Sequence, residues 1–595
     1  MNNGPLISLT LAAATAAAAQ HATPPDPVLP VPSPQQLAWQ RMELTMFLHF
    51  GVNTFTDREW GEGTEDEAVF NPTELDCRQW ARVAREAGFK LAILTAKHHD
   101  GFCLWPSKYT EHSVKRSPWK DGKGDVVREF TEACRAEGLK VGLYLSPWDR
   151  NQPVYGDSPK YNEYFCNQLT ELMTQYGTID EIWFDGACGE GPNGKRQEYD
   201  WNSFHDTVYA HNPQAIIAIC GPDVRWVGNE SGVARPGESS VQTRAEKKVW
   251  YPAECDVSIR PGWFYHASQD GQVKSLDHLL DLYFKSVGRN SVLLLNVPPA
   301  RRGLLADPDA ERLREFRQVL NETFGTNLAA GAAVKASAVR GGDEQFGAQQ
   351  VLDGSLETYW ATDDATTEGW LEIDLPKPAT FNVVNVQEAL PLGERVEQYR
   401  VEAEVDGAWT TLGHGTVIGH NSLIRLPRTT ASKVRLVVEA AKVCPAIAEF
   451  GLYLCPRDEN WPKPSLTAHK PAEASNVHPA GTVFGGDKAV DNDPSTRWAT
   501  SDETRECWLE VDLLQEYEIG NLGISELEPR LTKFRLEYRS AKEQDWLVAY
   551  EGTNAGKLFA ADFLPVTARY VRLHILEATF APTIWEFEVF PPKGK

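Results

Sequence analysis

The chain has 595 residues, of which 42% are hydrophobic, and its formal net charge is −24 at pH 7. This length exceeds what one hydrophobic core can hold, so we expect roughly two to four domains. The strong negative charge disfavours nucleic acid as a partner, because two polyanions repel each other, whereas neutral ligands are compatible with it.

Tryptophan and cysteine usage narrows the class of protein further. The 19 tryptophans suit sugar recognition, since indole faces stack on the apolar faces of sugars, and they equally suit the packing of a large β-rich protein. The ten cysteines form no CxxC pair, so neither a zinc site nor a disulfide scaffold is predicted.

The beginning of the chain predicts an export signal. Residues 6–19 form an alanine-rich apolar run that is too short to span a membrane, although no Lys or Arg precedes Arg41. We expect residues 1–22 to be a signal peptide and the proline-rich residues 23–35 to be a stiff linker. The protein is then secreted or periplasmic, and no other segment is apolar enough for membrane insertion.

Residues 36–328 alternate short apolar runs with amphipathic helical patterns, which is typical of parallel strands buried on both faces. The length fits a (β/α)8-like TIM barrel in which some helices are missing. A doubly wound open sheet is the alternative, although no GxGxxG motif follows any strand. The six predicted strands lie at residues 46–50, 91–95, 141–145, 181–185, 215–221 and 291–297.

After about residue 330 the pattern changes to short alternating segments with turn residues, which predicts antiparallel β-sandwiches. Four segments recur in the same order: residues 348–364 match 486–502, 370–375 match 508–513, 433–438 match 569–575, and 447–453 match 584–590. A tandem duplication follows from this order. We expect two β-sandwich domains, at residues 330–456 and 464–592.

Polar and aromatic side chains follow the predicted barrel strands at the end where the βα loops of a barrel build its site. They are His49, His98, His99, Asp100, Tyr144, Trp148, Asp149, Asp185, Glu230, Arg260 and Trp263. Their recurrence at the same end of several strands predicts a polar cavity lined by aromatic rings. Two carboxylates on either side of a sugar ring suffice for glycoside hydrolysis. Asp185 fits the nucleophile, whereas spacing alone does not choose between Glu230 and Glu254 as the acid.

The adjacent histidines 98 and 99 raise the question of a metal site. No HxH, HExxH or carboxylate cluster completes one, so we interpret both as neutral hydrogen-bonding groups. Adjacent strand residues point to opposite faces, so both can face the cavity only if the strand ends before them. No phosphate loop, GxSxG elbow or dinucleotide fingerprint is present, which disfavours a kinase, a serine hydrolase and a dehydrogenase.

The segments HFGVNTFTDREWGEG, LTAKHHDGFCLWPSKYTEHSV, EIWFDGA and LLLNVPPARRGLL resemble the α-L-fucosidases of glycoside hydrolase family 29. The resemblance implies a barrel of the predicted type, retention of anomeric configuration, no metal or cofactor in the chemistry, and Asp185 of WFDG as the nucleophile. It implies fucosylated oligosaccharides and glycoconjugates as partners. The substrate contacts expected with it are His49, Trp60, His98, His99, Tyr144, Trp183, Glu254, Arg260 and Trp263.

The segment RWVGNESG, followed by YPAECDVSIRPGWFYH, resembles the branch of this family that acts on α-1,3- and α-1,4-linked fucose, as in Lewis-type glycans. In that branch the Glu of WVGNE is the acid/base, which implies Glu230 here. Glu254 is then expected to contact a neighbouring galactose or to support the site. Two alternatives stay open: a broad-specificity α-L-fucosidase, and a glycan-binding protein whose barrel is catalytically impaired.

The duplicated sandwiches resemble the discoidin, or coagulation factor 5/8 type C, jelly roll that family 32 carbohydrate-binding modules use. DGSLETYW, DNDPSTRW, IAEF and IWEF carry this resemblance. It implies a structural calcium ion, with Asp353 and Glu449 as candidate ligands in the first domain and Asp491 and Glu586 in the second. Each domain could bind sugar weakly, which would raise the effective concentration of the enzyme on a multivalent glycan, or could brace the barrel.

Overall fold

A computed structural model describes residues 21–405, 407–458, 465–468, 470–491 and 496–592. The predicted signal peptide thus lies almost entirely outside the described residues. A sheet of eight parallel strands comes first, and two antiparallel seven-stranded sheets follow. The predicted fold class is confirmed.

The N-terminal domain contains a barrel of parallel strands. The sheet order is β5-β4-β3-β2-β1-β10-β9-β6, and a parallel bridge between Ala218 and Val224 brings β5 next to β6. The strands of this domain are β1 (Leu44–Leu48), β2 (Leu91–Lys97), β3 (Lys140–Leu145), β4 (Glu181–Phe184), β5 (Ile216–Ile219), β6 (Arg225–Trp226), β7 (Val241–Arg244), β8 (Lys247–Trp250), β9 (Ala253–Ser258) and β10 (Val292–Asn296). The six strands predicted from apolar runs are all present.

Two barrel strands were missed in the sequence, β6 and β9. β6 has only two residues, and β9 carries the buried polar side chains Glu254, Asp256 and Ser258, so neither forms an apolar run.

Helices separate most, but not all, of the barrel strands. Residues 220–224 connect β5 to β6 directly, and the β7–β8 hairpin stands between β6 and β9. This is the irregular barrel that the sequence predicted. The helices are α1 (Pro34–Gln40), α2 (Val52–Thr56), α3 (Cys77–Ala87), α4 (Val126–Ala136), α5 (Ser158–Gln175), α6 (Trp201–His211), α7 (Leu276–Ser286) and α8 (Asp307–Phe324).

Helix α3 illustrates how local sequence sets these boundaries. It begins after Asp76, whose carboxylate accepts a hydrogen bond from the Arg78 N–H, and it ends at Gly88, which adopts a left-handed conformation with φ 92°. Its buried face, which includes Trp80 and Ala84, packs in the same core cluster as the barrel strands.

The two C-terminal domains have the same topology, which confirms the duplication. The first has the order β12-β17-β13-β16-β14-β15 with β11 beside β13, and the second has β19-β24-β20-β23-β21-β22 with β18 beside β20. Trp360 and Trp498 are fully buried at matching positions, and each indole N–H donates to a backbone carbonyl at 2.9 Å. The strands are β11 (Ala333–Ala336), β12 (Trp360–Ala361), β13 (Gly369–Glu388), β14 (Val396–Val405), β15 (Ala408–Gly415), β16 (Ser422–Ala441), β17 (Ala446–Tyr453), β18 (Ala472–Ala474), β19 (Trp498–Ala499), β20 (Cys507–Glu526), β21 (Leu531–Arg539), β22 (Leu547–Thr553), β23 (Leu558–Ala578) and β24 (Thr583–Phe590).

The proline-rich segment before α1 packs against the first sandwich. The Val28 N–H donates to the Leu392 carbonyl at 2.9 Å, and the Arg395 guanidinium donates to the Asp26 carbonyl at 3.0 Å. The segment expected to be a stiff linker is thus bonded to residues more than 300 positions further along the chain. No helix among the described residues is long and apolar enough to cross a membrane.

Candidate active site

Asp185 follows β4 directly, at the carboxyl end of the barrel. Its Oδ2 accepts a hydrogen bond from the Tyr144 hydroxyl at 3.0 Å, and its Oδ1 accepts one from the Ala187 N–H at 2.7 Å. Its side chain is 29% exposed. The carboxylate is thus held in one orientation by two donors and is still accessible from the pocket.

Rigid aromatic packing supports this carboxylate from below. Tyr144 on β3 is in register with Trp183 on β4, and their rings stack with centroids 5.4 Å apart. Burial, and then the charge of Asp185, raise the pKa of Tyr144 well above its usual range. Tyr144 therefore keeps its proton and acts as a donor to Asp185.

His99 lies beside Asp185 with a defined tautomer. Its Nδ1 is 2.7 Å from Ser146 Oγ, and the Ser146 hydroxyl donates to the Trp148 carbonyl at 2.8 Å. Ser146 Oγ must therefore accept a hydrogen bond from the His99 Nδ1–H. The lone pair of the ring is then on Nε2, which lies 3.8 Å from Asp185 Oδ2. Burial lowers the pKa of His99 to about 4, so the ring is neutral at pH 7.

His49 is fixed in the same way by the last barrel strand. Asn296, at the end of β10, donates through Nδ2 to Ser258 Oγ at 2.9 Å and to the Trp263 carbonyl at 2.8 Å. Its Oδ1 therefore accepts from His49 Nδ1 at 2.8 Å, which leaves the His49 Nε2 lone pair available. Burial lowers the pKa of His49 to about 3.

His98 lies between these two rings, with its centroid 4.1 Å from that of His99 and 5.7 Å from that of His49. Strand β2 ends at Lys97, which is the condition under which both neighbouring histidines can face the cavity. Burial holds the pKa of His98 well below its usual range. The pocket thus presents three neutral imidazoles around one carboxylate.

Two tryptophans from different loops border the histidines. Trp60 is 56% exposed and sets its ring edge-on to His99 at 5.6 Å, and Trp263 lies 5.1 Å from the His49 ring. Glu59 joins the two loops, because its carboxylate accepts the Trp263 N–H at 2.8 Å and is 2.6 Å from His266 Nε2. The loop that carries Trp60 is therefore fastened across the pocket.

Glu230 is exposed on the segment after β6, and its charge acts on Asp256, a residue that was not predicted from the sequence. Asp256 on β9 is 4% exposed and accepts the Trp226 indole N–H at 2.7 Å. Burial, with smaller contributions from the charges of Glu230 and Asp185, raises the pKa of Asp256 to about 7. Asp256 therefore lies within electrostatic range of both proposed catalytic carboxylates. Its position was missed because β9 was not recognised as a strand.

Two residues predicted to contact the substrate have fully buried side chains, and for Glu254 this fits the other role left open, which is support of the site. Glu254 is fully buried in the barrel, where its Oε2 accepts the Trp183 indole N–H at 2.8 Å. Arg260 is also fully buried, and its guanidinium binds Asp309 at 2.8 Å and Asp270 at 2.9 Å. Spacing could not reveal this, because the partners of both residues come from other elements.

The predicted calcium ligands lie in the sandwiches. Asp353 accepts hydrogen bonds from the Ser355 N–H at 2.9 Å and the Thr358 hydroxyl at 2.7 Å. Burial, together with the nearby Asp353 charge, raises the pKa of Glu449 to about 7. The adjacent acidic side chains of Asp353 and Glu449 fit a cation, although no group of three or more His, Cys, Asp or Glu residues suited to a metal occurs among the described residues.

The second sandwich repeats part of this arrangement. Asp491 accepts from the Thr496 hydroxyl at 2.8 Å, and Glu586 lies opposite Ser525 in the β20–β24 pair. Residues 492–495 are outside the described part of the chain.

Comparison with known proteins identifies relatives of both halves. The α-L-fucosidase family model matches residues 11–323, and the F5/8 type C domain model matches residues 333–450 and 471–587. The chain is 44% identical to α-L-fucosidase 1 of Arabidopsis thaliana over 72% of its own length and 88% of that protein.

Solved structures agree with these matches. The chain resembles a Ruminococcus gnavus GH29 fucosidase in complex with fucose, with 35% identity, 74% and 98% coverage of the two chains and a TM-score of 0.69. It also resembles a glycoside hydrolase family 29 member from an unknown rumen bacterium, with 36% identity, 95% and 100% coverage and a TM-score of 0.65. The chain therefore belongs to the α-L-fucosidases of glycoside hydrolase family 29 and carries two C-terminal F5/8 type C domains.

Proposed function

We propose that this α-L-fucosidase is a retaining enzyme that removes α-1,3- and α-1,4-linked fucose from Lewis-type or related branched glycans, with Asp185 as nucleophile and Glu230 as acid/base. One observation carries the proposal. Asp185 is oriented by hydrogen bonds from Tyr144 and Ala187 at the end of β4, beside a set of neutral histidines. The charges of both Asp185 and Glu230 contribute to the raised pKa of Asp256.

The reaction proceeds in two displacements. Asp185 Oδ attacks the anomeric carbon, the glycosidic bond breaks, and Glu230 gives its proton to the departing oxygen. Glu230 then takes a proton from water, whose oxygen attacks the anomeric carbon and releases Asp185 and fucose. Glu230 thus regains the proton that it gave to the leaving group, and Asp185 is again a free carboxylate.

The neutral histidines suit this chemistry better than cations would. The Nε2 lone pairs of His49 and His99 can accept hydrogen bonds from sugar hydroxyls. A cationic ring beside Asp185 would pair with the nucleophile and weaken it, and the lowered pKa of His99 prevents this at neutral pH. Trp60 and Trp263 offer apolar faces for the sugar ring and its methyl group.

Activity on three substrate classes tests the proposal. An aryl α-L-fucoside, a branched Lewis trisaccharide and a linear α-1,2-fucosylated glycan are compared for the wild type, and the branched substrate is expected to be preferred over the linear one. Equal turnover of both natural linkages would favour the broad-specificity alternative. Failure to hydrolyse any of them would favour a glycan-binding protein with an impaired barrel.

Variants test the residue roles. For Asp185→Asn we expect a loss of several orders of magnitude on the aryl fucoside, and near-wild-type turnover would refute the nucleophile assignment. For Glu230→Ala we expect azide to restore activity with release of a fucosyl azide, because azide needs no general base. Azide rescue of Glu254→Ala instead would transfer the acid/base role to Glu254.

A second function, glycan binding, is favoured for the second sandwich by a difference between the repeats. Arg395 and Arg530 occupy equivalent places, since each backbone N–H donates at 2.9 Å to a buried glutamate at the end of the long strand, Glu388 or Glu526. Arg395 is 1% exposed beneath the N-terminal segment, whereas Arg530 packs against Phe580, which is 54% exposed.

We infer that this end of the second sandwich is the one available to a sugar, while its counterpart in the first is covered by the chain itself. In an Asp185→Asn background, which prevents turnover, Phe580→Ala is expected to weaken binding to an immobilised multivalent fucosylated glycan. The control variant is Leu564→Ala, which removes another exposed apolar side chain from the same domain. Equal binding by both variants would contradict glycan binding at Phe580.

The remaining expectations concern calcium and export. We propose that Asp353 and Glu449 hold a structural calcium ion together with backbone carbonyls, and that Asp491 and Glu586 do so in the second sandwich. We also propose that the protein is secreted or periplasmic, on the strength of the apolar run at residues 6–19. Sequencing of the N-terminus of the exported protein tests cleavage near residue 22.

A further inference from the structure

Residues 227–240, here called the strap, carry Glu230 and connect β6 to β7. The first half of the strap is open to solvent at Glu230, whereas its second half is buried at Ala234, Glu238 and Ser240. A catalytic group on such a segment depends on what anchors the buried half, because no helix or strand of its own fixes it.

The barrel supplies part of the anchoring. The Ala234 N–H donates to the Lys285 carbonyl at 2.8 Å, and the Arg289 guanidinium donates to the Ala234 carbonyl at 2.7 Å. Around Glu230 itself, the Asn229 amide closes a local turn by donating to the Val233 carbonyl at 2.9 Å.

The first sandwich supplies the rest. Glu394, which is 1% exposed, accepts the Ser240 N–H at 2.7 Å through Oε1 and the Ser239 hydroxyl through Oε2. The strap approaches the sandwich so closely at Gly237 that a Cβ there would lie 2.1 Å from Thr416 Oγ1.

Asn290 completes the junction between the two domains and the strap. Its Nδ2 is 3.0 Å from the Glu238 carbonyl and 2.9 Å from Glu394 Oε1, and its Oδ1 accepts the His420 N–H at 2.7 Å. Removal of the Glu394 carboxylate would leave the buried Ser240 N–H and part of the Asn290 amide without an acceptor, which a folded chain relieves by moving the strap.

We propose that the first sandwich is a working part of the catalytic site, and that Glu394 is a positioning residue which holds the Glu230 strap in place for proton transfer. The inference rests on the proposed acid/base role of Glu230. Glu394 does not touch Asp185 or the histidines, so its loss should impair protonation of the leaving group and spare the nucleophilic attack.

Leaving-group dependence separates this role from general destabilisation. A fucoside with a highly acidic aryl leaving group needs no proton to depart, whereas a branched trisaccharide does. For Glu394→Ala, which removes the acceptor of the Ser240 N–H, we expect kcat/KM on the trisaccharide to fall about 10-fold or more, a fraction of the 10²–10⁴-fold that general acid catalysis contributes. On the activated aryl fucoside we expect a change of less than about 3-fold under the same principle.

Ser239→Ala removes one hydroxyl contact to Glu394 and provides a milder variant should Glu394→Ala fold poorly. The matched control is Glu402→Ala, which removes a buried carboxylate that pairs with Arg400 and Arg435 inside the same sandwich. The control should change kcat/KM by the same factor on both substrates.

Glu230→Ala is measured beside these variants. If it shows the leaving-group dependence and neither Glu394→Ala nor Ser239→Ala does, the strap proposal is overturned and the acid/base assignment stands. If Glu230→Ala lacks that dependence, the acid/base assignment fails, and the role of Glu394 fails with it.

Discussion

Replacing Glu254 by glutamine removes a titratable proton from the barrel interior and leaves the shape of the side chain nearly unchanged. Glu254 is fully buried, and burial, followed by the nearby charge of Glu181, raises its pKa well above the usual range. The folded chain therefore keeps this carboxyl protonated at pH values where the unfolded chain ionises it. Glutamine can accept the Trp183 indole N–H in the same way.

The sign and size of the effect follow from proton linkage. Because the folded state binds one more proton than the unfolded state above the ordinary carboxyl pKa, wild-type stability falls as pH rises, by up to about 1.4 kcal/mol per pH unit. The glutamine variant lacks this dependence. Between about pH 5 and pH 7 its free energy of unfolding should gain up to roughly 2.7 kcal/mol relative to the wild type.

Urea unfolding of both proteins at several pH values, followed by a barrel signal, measures this difference. Activity on a branched trisaccharide is measured in parallel and should stay within about 3-fold of the wild type, because the proposed acid/base is Glu230. A difference in stability that does not change with pH would refute the neutral state of Glu254. A loss of about 100-fold or more on the trisaccharide would refute its structural role.

Three further outcomes are expected. Tyr144→Phe removes the 3.0 Å hydrogen bond to Asp185. A hydrogen bond to a charged group contributes about 1.5–3 kcal/mol, so this variant should lower kcat/KM on an aryl fucoside by roughly 10- to 150-fold. Unchanged kinetics would mean that the bond does not persist in the working enzyme. In the folded chain the pKa of His99 is lowered from 6.5 to about 4, so between these pH values the unfolded chain binds a proton that the folded chain does not. The free energy of unfolding should therefore decline as pH falls from 6.5 towards 4, and His99→Gln should flatten this decline in acid unfolding curves. Parallel curves for the two proteins would contradict a neutral His99. Calcium at about 100 times its dissociation constant should stabilise the first sandwich by about 2.7 kcal/mol. A chelator and the Asp353→Asn variant should each remove this effect. Melting that does not depend on calcium would exclude the site formed with Glu449.

Much of the fold follows from local patterns. Six barrel strands were predicted from apolar runs, which are typical of parallel strands buried on both faces, and the amphipathic patterns between them predicted helices. The repeated segments predicted two copies of one β-fold, and the shared strand order confirms it. These features are determined over windows of a few to some twenty residues, where the sequence is informative.

The site was predictable only in part. The position of Asp185 after β4 came from the sequence, since a short polar residue that ends an apolar strand before glycine is visible as a pattern. Asp256 was missed because β9 buries polar side chains and so forms no apolar run. Arg260 follows β9, and its burial depends on Asp309, a partner from another element.

The sequence by itself determined which residues could do the chemistry and which segments form strands, helices and repeats. Only the tertiary structure decided the protonation states of the histidines, the burial of Glu254, and the contact of Glu394 with the strap. The physical reason is that hydrogen-bond geometry and desolvation depend on which groups meet in space. In the active site, the hydrogen-bonded pair His49 and Asn296 is separated by 247 positions.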